Sequence, residues 1–350
     1  MTDPRGPIAV IGAGAWGTAL AIQVTRAGGT ARLWVFEPEL LDLVRHRGEN
    51  PWYLPGIHLP SAVQAVASLA EAVKDADVVI LAVPSHVLRG VARDLAPHLS
   101  QDAVVVSAAK GLEEQGLLRM TEVLANTLPS AIAVRTVALS GPTFALEVAQ
   151  SRPTAAVLAS PDAGLARMLQ RLLASPTFRL YTQTDVVGVE LGGALKNVLA
   201  IAAGIADGLE LGANARAALL TRGLAEMARL GVALGARAQT FAGLAGLGDL
   251  VLTCTGGLSR NRRLGLALAG GQTLEQWQAG TRSIAEGVRT SRAAVQLAQR
   301  AGVVTPIFEE VATVLFDGKP PRAALGALLA REARPEEEPD DLLTRPAGSS

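Results

Sequence analysis

Lys196 lies inside the apolar run G-V-E-L-G-G-A-L-K-N-V-L-A-I-A-A-G-I. The chain carries 32 lysines and arginines, of which only four are lysines: Lys74, Lys110, Lys196 and Lys319. Arginine is the default cation here, and it cannot release its proton within a protein. A desolvated lysine can, because burial lowers its pKa toward neutrality. Lys196 is therefore a candidate general acid/base. Lys110, ending A-V-V-V-S-A-A-K-G, is a second lysine in apolar surroundings. Both also fit a plainer description, in which the stem is buried and the amine stays wet.

A second group of polar residues lies further on, in G-L-A-G-L-G-D-L-V-L-T-C-T-G-G-L-S-R-N-R-R. Asp249 follows a glycine-rich apolar stretch, which places its carboxylate at an inner rim. Ser259, Arg260 and Asn261 offer a hydroxyl, a planar guanidinium fork and an amide in succession. That trio suits a phosphate, which the fork can bind bidentately while the neutral groups add hydrogen bonds. If Ser259 caps a helix, backbone N–H groups join in. The same letters also describe an N-cap followed by a solvated basic face. Glu190 and Asn197 share one face of the Lys196 helix. Gly192 and Gly193 on that helix admit either a closely packed backbone or a ligand.

Near the other end stands Gly12-Ala13-Gly14-Ala15-Trp16-Gly17, a G-x-G-x-x-G directly after a strand pattern and opening a helix pattern. The first glycine makes the tight turn. The second lets backbone approach a pyrophosphate, and the third lets helix pack on strand. The helix N-terminus then faces the phosphates. Glu37 ends the second strand, where a carboxylate can accept from adenosine ribose hydroxyls. With Pro38 it equally reads as a helix start.

The elements needed to hold these groups are legible. Apolar, β-branched runs at Pro7–Ile11, Ala31–Phe36, Asp77–Val83, Ala103–Ala108, Ala131–Ser140 and Thr154–Ala159 alternate with helical patterns such as Trp16–Gly28. Strands apolar on both faces imply a largely parallel sheet covered by helices. From about Asp185 long helical periods take over, at Val186–Leu209, Ala213–Gly235, Ile284–Gly302 and Pro306–Phe316. The expected fold is α/β: an N-terminal Rossmann-like, doubly wound, mostly parallel sheet over 1–184, then an all-helical domain over 185–332. The acidic, then Pro/Gly/Ser-rich segment 333–350 reads as disordered.

Composition narrows the class. Formal net charge is zero, which gives no support for nucleic-acid or electrostatic membrane binding. A lone cysteine, Cys254, excludes an internal disulfide framework and fits a reducing compartment. Its default reading is a small buried hydrophobe. The four histidines are scattered without metal-ligand spacing, so no metal site is expected. The apolar run near the N-terminus is cut by glycines and lacks a basic flank, unlike a signal peptide. The most apolar helix carries Glu190, Lys196 and Asn197, unlike a membrane span. These features read as a soluble cytoplasmic protein.

Taken together, these segments resemble the bacterial-type NAD(P)-dependent glycerol-3-phosphate dehydrogenases. The resemblance runs from Ile8 to about Phe316. It is carried by G-A-G-A-W-G-T-A-L-A, N-P-W-Y-L-P-G, A-V-P-S, A-K-G, S-G-P-T-F-A, the Lys196 segment, N-A-R-A-A-L-L-T-R-G-L-A-E-M, G-L-A-G-L-G-D-L-V-L-T-C-T, S-R-N-R-R and A-E-G. It implies reversible reduction of dihydroxyacetone phosphate to sn-glycerol 3-phosphate with NADH or NADPH, supplying glycerophospholipid synthesis, with Lys196 as general acid/base. It places Lys110, Gly141, Thr143, Asp249, Ser259, Arg260 and Asn261 at the substrate. It places Ala15, Trp16, Lys110, Ala145, Arg260, Ile284 and Glu286 at the cofactor, beside Gly12, Gly14, Gly17, Phe36 and Glu37. Thr143 stands where the family usually has serine and keeps the hydroxyl. Phe36 stands where the family often has a basic residue near the adenosine ribose, which weakens any expectation of NADPH preference. NADH is expected to serve at least as well. A homodimer fits the sequence.

Two rivals remain open. One is a β-hydroxyacid or 6-phosphogluconate dehydrogenase of the same architecture, against which the S-R-N triplet and the Lys196 segment speak. The other is a dinucleotide-sensing module without turnover, which has no need of Lys196, Asp249 and Arg260 together.

Overall fold

The computed structural model describes residues 6–281 and 284–332. The segment 333–350, expected to be disordered, lies outside the described residues.

The β-branched runs form strands because their side chains pack on both faces of a covered sheet. Ten strands occur among the described residues: β1 (Ile8–Ile11), β2 (Ala31–Trp34), β3 (Glu49–Asn50), β4 (Leu54–His58), β5 (Val63–Val66), β6 (Val78–Leu81), β7 (Val104–Ser107), β8 (Thr136–Ser140), β9 (Thr154–Ala159) and β10 (Phe178–Gln183). Eight form one sheet in the order β10-β9-β8-β7-β6-β1-β2-β5, and β3 pairs with β4 apart from it. Every pairing in the large sheet is parallel except β8 with β9. Strand order reverses at β1, with β2 on one side and β6 on the other, and this switch point is where doubly wound sheets bind ligands.

The chain divides into two compact units. Among the described residues, 6–109 and 120–186 form the first; 110–119, 187–281 and 284–332 form the second. The sheet core of the first unit is built from residues such as Ile8, Val10, Leu33, Ile80, Val106 and Leu158. The second unit is helical among its described residues apart from one bridge between Leu112 and Arg119. Its core gathers Leu191, Leu195, Leu199, Met227, Phe241, Leu264 and Phe308, with Leu112 and Leu117 from the 110–119 segment. The long apolar helix Val186–Gly208 is long enough to cross a membrane, but 83% of that apolar stretch is buried inside the protein.

Two expectations differ from the structure. The run 131–140 is not one strand: a short helix, Ser130–Ala133, precedes β8. Pro129 is the N-cap and Ser130 the first residue of that helix, so Ala131–Ala133 complete a helical turn before the strand begins. Strands β3, β4, β5 and β10 have no clear signature in the sequence. They are short or half-polar, as in the exposed alternation of F-R-L-Y-T-Q.

Candidate active site

The glycine turn follows β1 directly. Gly12 has φ of +111°, where an L side chain is strained, and a Cβ there would meet Val83 Cγ1 at 2.9 Å and the Ala82 carbonyl at 3.0 Å. It therefore sits against the end of β6, at the switch point. A Cβ on Gly17 would lie 1.8 Å from the Gly12 carbonyl oxygen, so only glycine lets the helix Ala15–Arg26 start so close to the turn. Around Gly14 nothing lies within 4 Å of where a Cβ would be. Gly14 is also the N-cap of that helix and offers no side-chain cap, leaving the first N–H groups open to an anion.

A dinucleotide fits this cradle. The indole Nε1 of Trp16 is buried without a hydrogen-bond partner, and such an orphan asks for an acceptor from outside. Ala145 opens the short helix Ala145–Ala149, which packs on the Ala15–Arg26 helix. Glu37 stands at the end of β2, accepting from Tyr53 Oη at 2.8 Å. It is also the N-cap of the helix Pro38–Arg47, though its side chain caps nothing there. Phe36 is 74% exposed and packs edge-on against Trp34. Gly141, with φ of +131°, and Thr143 follow β8; the Thr143 hydroxyl donates to the Gly141 carbonyl at 3.2 Å.

The second unit builds a charged cluster. Lys196 sits midway along Val186–Gly208 and is 6% exposed. Its ammonium donates to Asp249 Oδ1 at 2.8 Å and to Thr253 Oγ1 at 2.7 Å. Lys110 donates to the other oxygen, Asp249 Oδ2, at 2.7 Å. Asp249, 1% exposed, opens the helix Asp249–Thr255, and Thr253 lies one turn on, donating to Asp249 Oδ1 at 3.1 Å. Burial lowers the Lys196 pKa to about 8; Asp249 opposes the shift and Lys110 adds to it. Burial alone pushes the Asp249 carboxyl up, but the two ammonium groups outweigh it and hold it below its ordinary range. Cys254 next door is a buried thiol pushed up to about 12 by burial, so it is no nucleophile.

The arrangement comes from close helix packing. A Cβ on Gly192 would fall 2.6 Å from the Ala245 carbonyl, so this glycine admits a neighbouring backbone. Gly204 and Gly265 do the same for the helix Arg260–Ala269, whose Arg262 carbonyl would lie 2.1 Å from a Cβ on Gly204. Arg262 then locks that helix to Asp207 at 2.7 Å. The segment 110–119 is held by Arg119 on Glu190 at 2.7 Å and by Arg289 on Glu114 at 3.1 Å.

Ser259 is the N-cap of the Arg260 helix, accepting from Arg262 N at 3.2 Å. The N–H groups of Arg260 and Asn261 begin the helix, where no intrahelical acceptor exists. Asn261 is buried, unlike a freely offered ligand: its Nδ2 donates to Asn197 Oδ1 at 2.8 Å, and its Oδ1 accepts from Gly287 N at 3.0 Å. Its side chain thereby joins three helices. This brings Glu286, at the start of Glu286–Ala301, toward Arg260. Arg260 is exposed, yet desolvation lowers its guanidinium pKa while Glu286 raises it. Ile284 is half-buried two residues before Glu286.

Within the second unit, then, Lys110, Lys196 and Asp249 form one cluster, and Ser259, Arg260, Asn261 and Glu286 another, with Asn197 adjoining Lys196 in sequence. Within the first unit the glycine turn, Trp16 and Ala145 share one region. Thr253 joins the Lys196 cluster without standing out in the sequence as a site residue, whereas Asn197, marked by its place on the Lys196 helix, adjoins the Asn261 cluster. Thr253 does carry a signal, four residues after Asp249 on one helix face.

The N-terminal model of the NAD-dependent glycerol-3-phosphate dehydrogenases matches residues 7–166, and the C-terminal model matches 185–326. The glycerol-3-phosphate dehydrogenase (NAD(P)+) of Syntrophotalea carbinolica is 51% identical over 329 residues, covering 94% of this chain and 99% of that one. The enzyme of the same name from Koribacter versatilis is 53% identical over 331 residues, covering 94% and 98%. The crystal structure of glycerol-3-phosphate dehydrogenase from Coxiella burnetii matches with a TM-score of 0.88 at 40% identity, over 93% of this chain and 99% of that one. Two family models that between them span both units, with relatives alike over almost their whole length, leave one conclusion: the chain belongs to the NAD-dependent glycerol-3-phosphate dehydrogenase family.

Proposed function

We propose that Lys196 is the general acid/base of a reversible, NAD(P)H-dependent reduction of dihydroxyacetone phosphate to sn-glycerol 3-phosphate. The reaction itself follows from family membership and the named relatives. The assignment to Lys196 is carried by one observation: a nearly buried ammonium with a pKa lowered to about 8, aimed by a carboxylate and a hydroxyl.

Gly12, Gly14, Gly17, Ala15, Trp16 and Ala145 would hold the dinucleotide, with Glu37 at its ribose. Hydride for the carbonyl carbon is the chemistry that the reduced nicotinamide supplies when bound. Lys196 delivers a proton from Nζ to the ketone oxygen as negative charge develops there. Asp249 holds that amine in place and compensates its charge in a setting with little water. Lys110, on the far oxygen of the same carboxylate, keeps the Lys196 proton labile by like-charge repulsion. The substrate phosphate is taken by Arg260 and the N–H groups that open its helix, with Ser259 shaping the helix end. That anchoring orients the carbonyl and lowers the entropic cost of the reaction. The family resemblance would put Gly141 and Thr143 at the substrate, and Ile284 and Glu286 at the cofactor. We place the enzyme in the cytoplasm, in keeping with its lone, buried cysteine and the core burial of the apolar helix Val186–Gly208.

The direct test follows absorbance of NADH and of NADPH with dihydroxyacetone phosphate. Oxidation of reduced cofactor by this substrate, and not by β-keto acids or 6-phosphogluconate-type substrates, is expected. Cofactor binding without oxidation would overturn the reading in favour of a sensing module.

A further inference from the structure

The motif N-P-W-Y-L-P-G has no role in the chemistry above, yet it is tied to the cofactor cradle at two points. Asn50 is completely buried. Its Nδ2 donates to the Ala13 carbonyl at 2.7 Å and to Thr18 Oγ1 at 2.8 Å. Ala13 lies inside the glycine turn and Thr18 in the first turn of its helix. The Asn50 Oδ1 in turn accepts from Tyr53 N at 3.1 Å. One side chain thus sets the Asn50–Tyr53 turn against the glycine turn, and both bonds that it donates are closed to solvent.

Tyr53 uses that placement. Its hydroxyl donates to Glu37 Oε1 at 2.8 Å. Glu37 is an N-cap whose carboxylate makes no bond to its own helix, so Tyr53 rather than the helix end fixes one of its oxygens. A carboxylate with one oxygen held has its rotation stopped and its second oxygen presented in one direction. The residue beside it, Phe36, is exposed and carries no charge. No cation from the end of β2 offsets this carboxylate.

We propose that Tyr53 is a specificity-determining positioning residue for the dinucleotide. It holds Glu37 so that Oε2 accepts from the vicinal diol of the adenosine ribose and the negative charge stays where a 2′-phosphate would lie. Asn50 sets the distance between this pair and the glycine turn. The inference rests on the reading that Glu37 faces the ribose. A fixed acceptor favours the diol because less rotamer freedom is lost on binding. A 2′-phosphate carries about −1.5 to −2 charges, and a carboxylate that cannot swing aside repels it fully.

The experiment is titration of the full-length enzyme with NADH and with NADPH, followed by nucleotide fluorescence in the absence of ketone. It compares the unaltered protein, Tyr53→Phe, Glu37→Ala and the double variant, each checked for fold by circular dichroism. Tyr53→Phe removes one hydroxyl and leaves the ring. It is expected to raise the NADH Kd about three- to tenfold and leave or lower that for NADPH, so that discrimination narrows. Glu37→Ala should narrow it at least as far, and Tyr53→Phe should add nothing in the Glu37→Ala background. If Glu37→Ala narrows discrimination and Tyr53→Phe does not, the positioning role is overturned while the ribose assignment of Glu37 stands. If neither variant changes the ratio, both fall. A Tyr53→Phe effect that persists undiminished without Glu37 would show Tyr53 acting on the nucleotide itself, which also overturns the proposal.

Discussion

Lys196 and Asp249 meet at 2.8 Å where the carboxylate is 1% exposed, and the second carboxylate oxygen is occupied by Lys110 at 2.7 Å. Two ammonium groups therefore share one buried anion. The net positive charge of the cluster matches a reaction in which an oxygen gains negative charge.

Asp249→Asn keeps the shape but leaves two cations facing a neutral amide. Removing one partner of a buried charge cluster costs about 3–5 kcal/mol, so thermal or urea unfolding should show a loss of that order. The Lys196 pKa should fall further, because its main opposing influence is gone. A variant as stable as the parent would mean that water compensates the lysines.

The pH dependence follows from the same cluster. With Lys196 as the proposed general acid, ketone reduction draws on its ammonium, whose pKa is lowered to about 8. The kcat for reduction should fall as pH rises through that value, and kcat for alcohol oxidation should rise. The substrate phosphate titrates near pH 6, so profiles measured above about pH 7 isolate the enzyme group. The break belongs to the Lys196–Asp249–Lys110 set as a whole. A break left near the ordinary lysine range would show that the amine is better hydrated than its burial implies.

Arg260→Ala should raise KM for the phosphorylated ketone with a smaller effect on kcat. The loss of one charged hydrogen-bonded contact is worth about 1.5–3 kcal/mol. With NADH saturating, unphosphorylated dihydroxyacetone should be affected little. Equal damage to both substrates would mean that Arg260 is not the phosphate anchor.

Away from the chemistry, the fold holds another buried carboxylate. Glu226 is buried, and both its oxygens accept from Ile307 N, at 3.0 and 3.1 Å, at the start of the helix Pro306–Phe316. Burial raises its pKa to about 7, with the Ile307 hydrogen bond and Arg229 opposing. A raised folded-state pKa means that the folded form holds the proton more tightly. The stability it contributes is therefore complete below the unfolded pKa of 4.5 and is lost as pH rises toward about 7. Over that window the loss is about 3 kcal/mol. Glu226→Gln should flatten this part of the stability curve; an unchanged slope would assign it to other groups.

Much of this site is legible in the amino-acid sequence. The glycine turn is plain because only glycine tolerates the Gly12 backbone and the Gly17 contact. Lys196 stands out because a cation in an apolar helix needs a reason, and Asp249 because it breaks another apolar run. Asn261 shows the limit. Its type suggests a phosphate ligand, while its amide is engaged by Asn197 and Gly287, residues 64 and 26 positions away. Partners so distant leave no local pattern. The 110–119 segment is hidden for the same reason: its place with the helical unit depends on Glu190, Asp249 and Arg289. Strand β10 escapes detection because its edge position lets polar residues alternate.

If Lys196 moves the proton, Lys196→Met should remove its donor. Methionine keeps the apolar stem and removes the ammonium. Turnover of dihydroxyacetone phosphate should fall by about 10²–10⁴-fold, while NADH affinity and the folded state stay near those of the parent. A variant that folds, binds NADH and turns over at the parental rate would show that Lys196 does not move the proton.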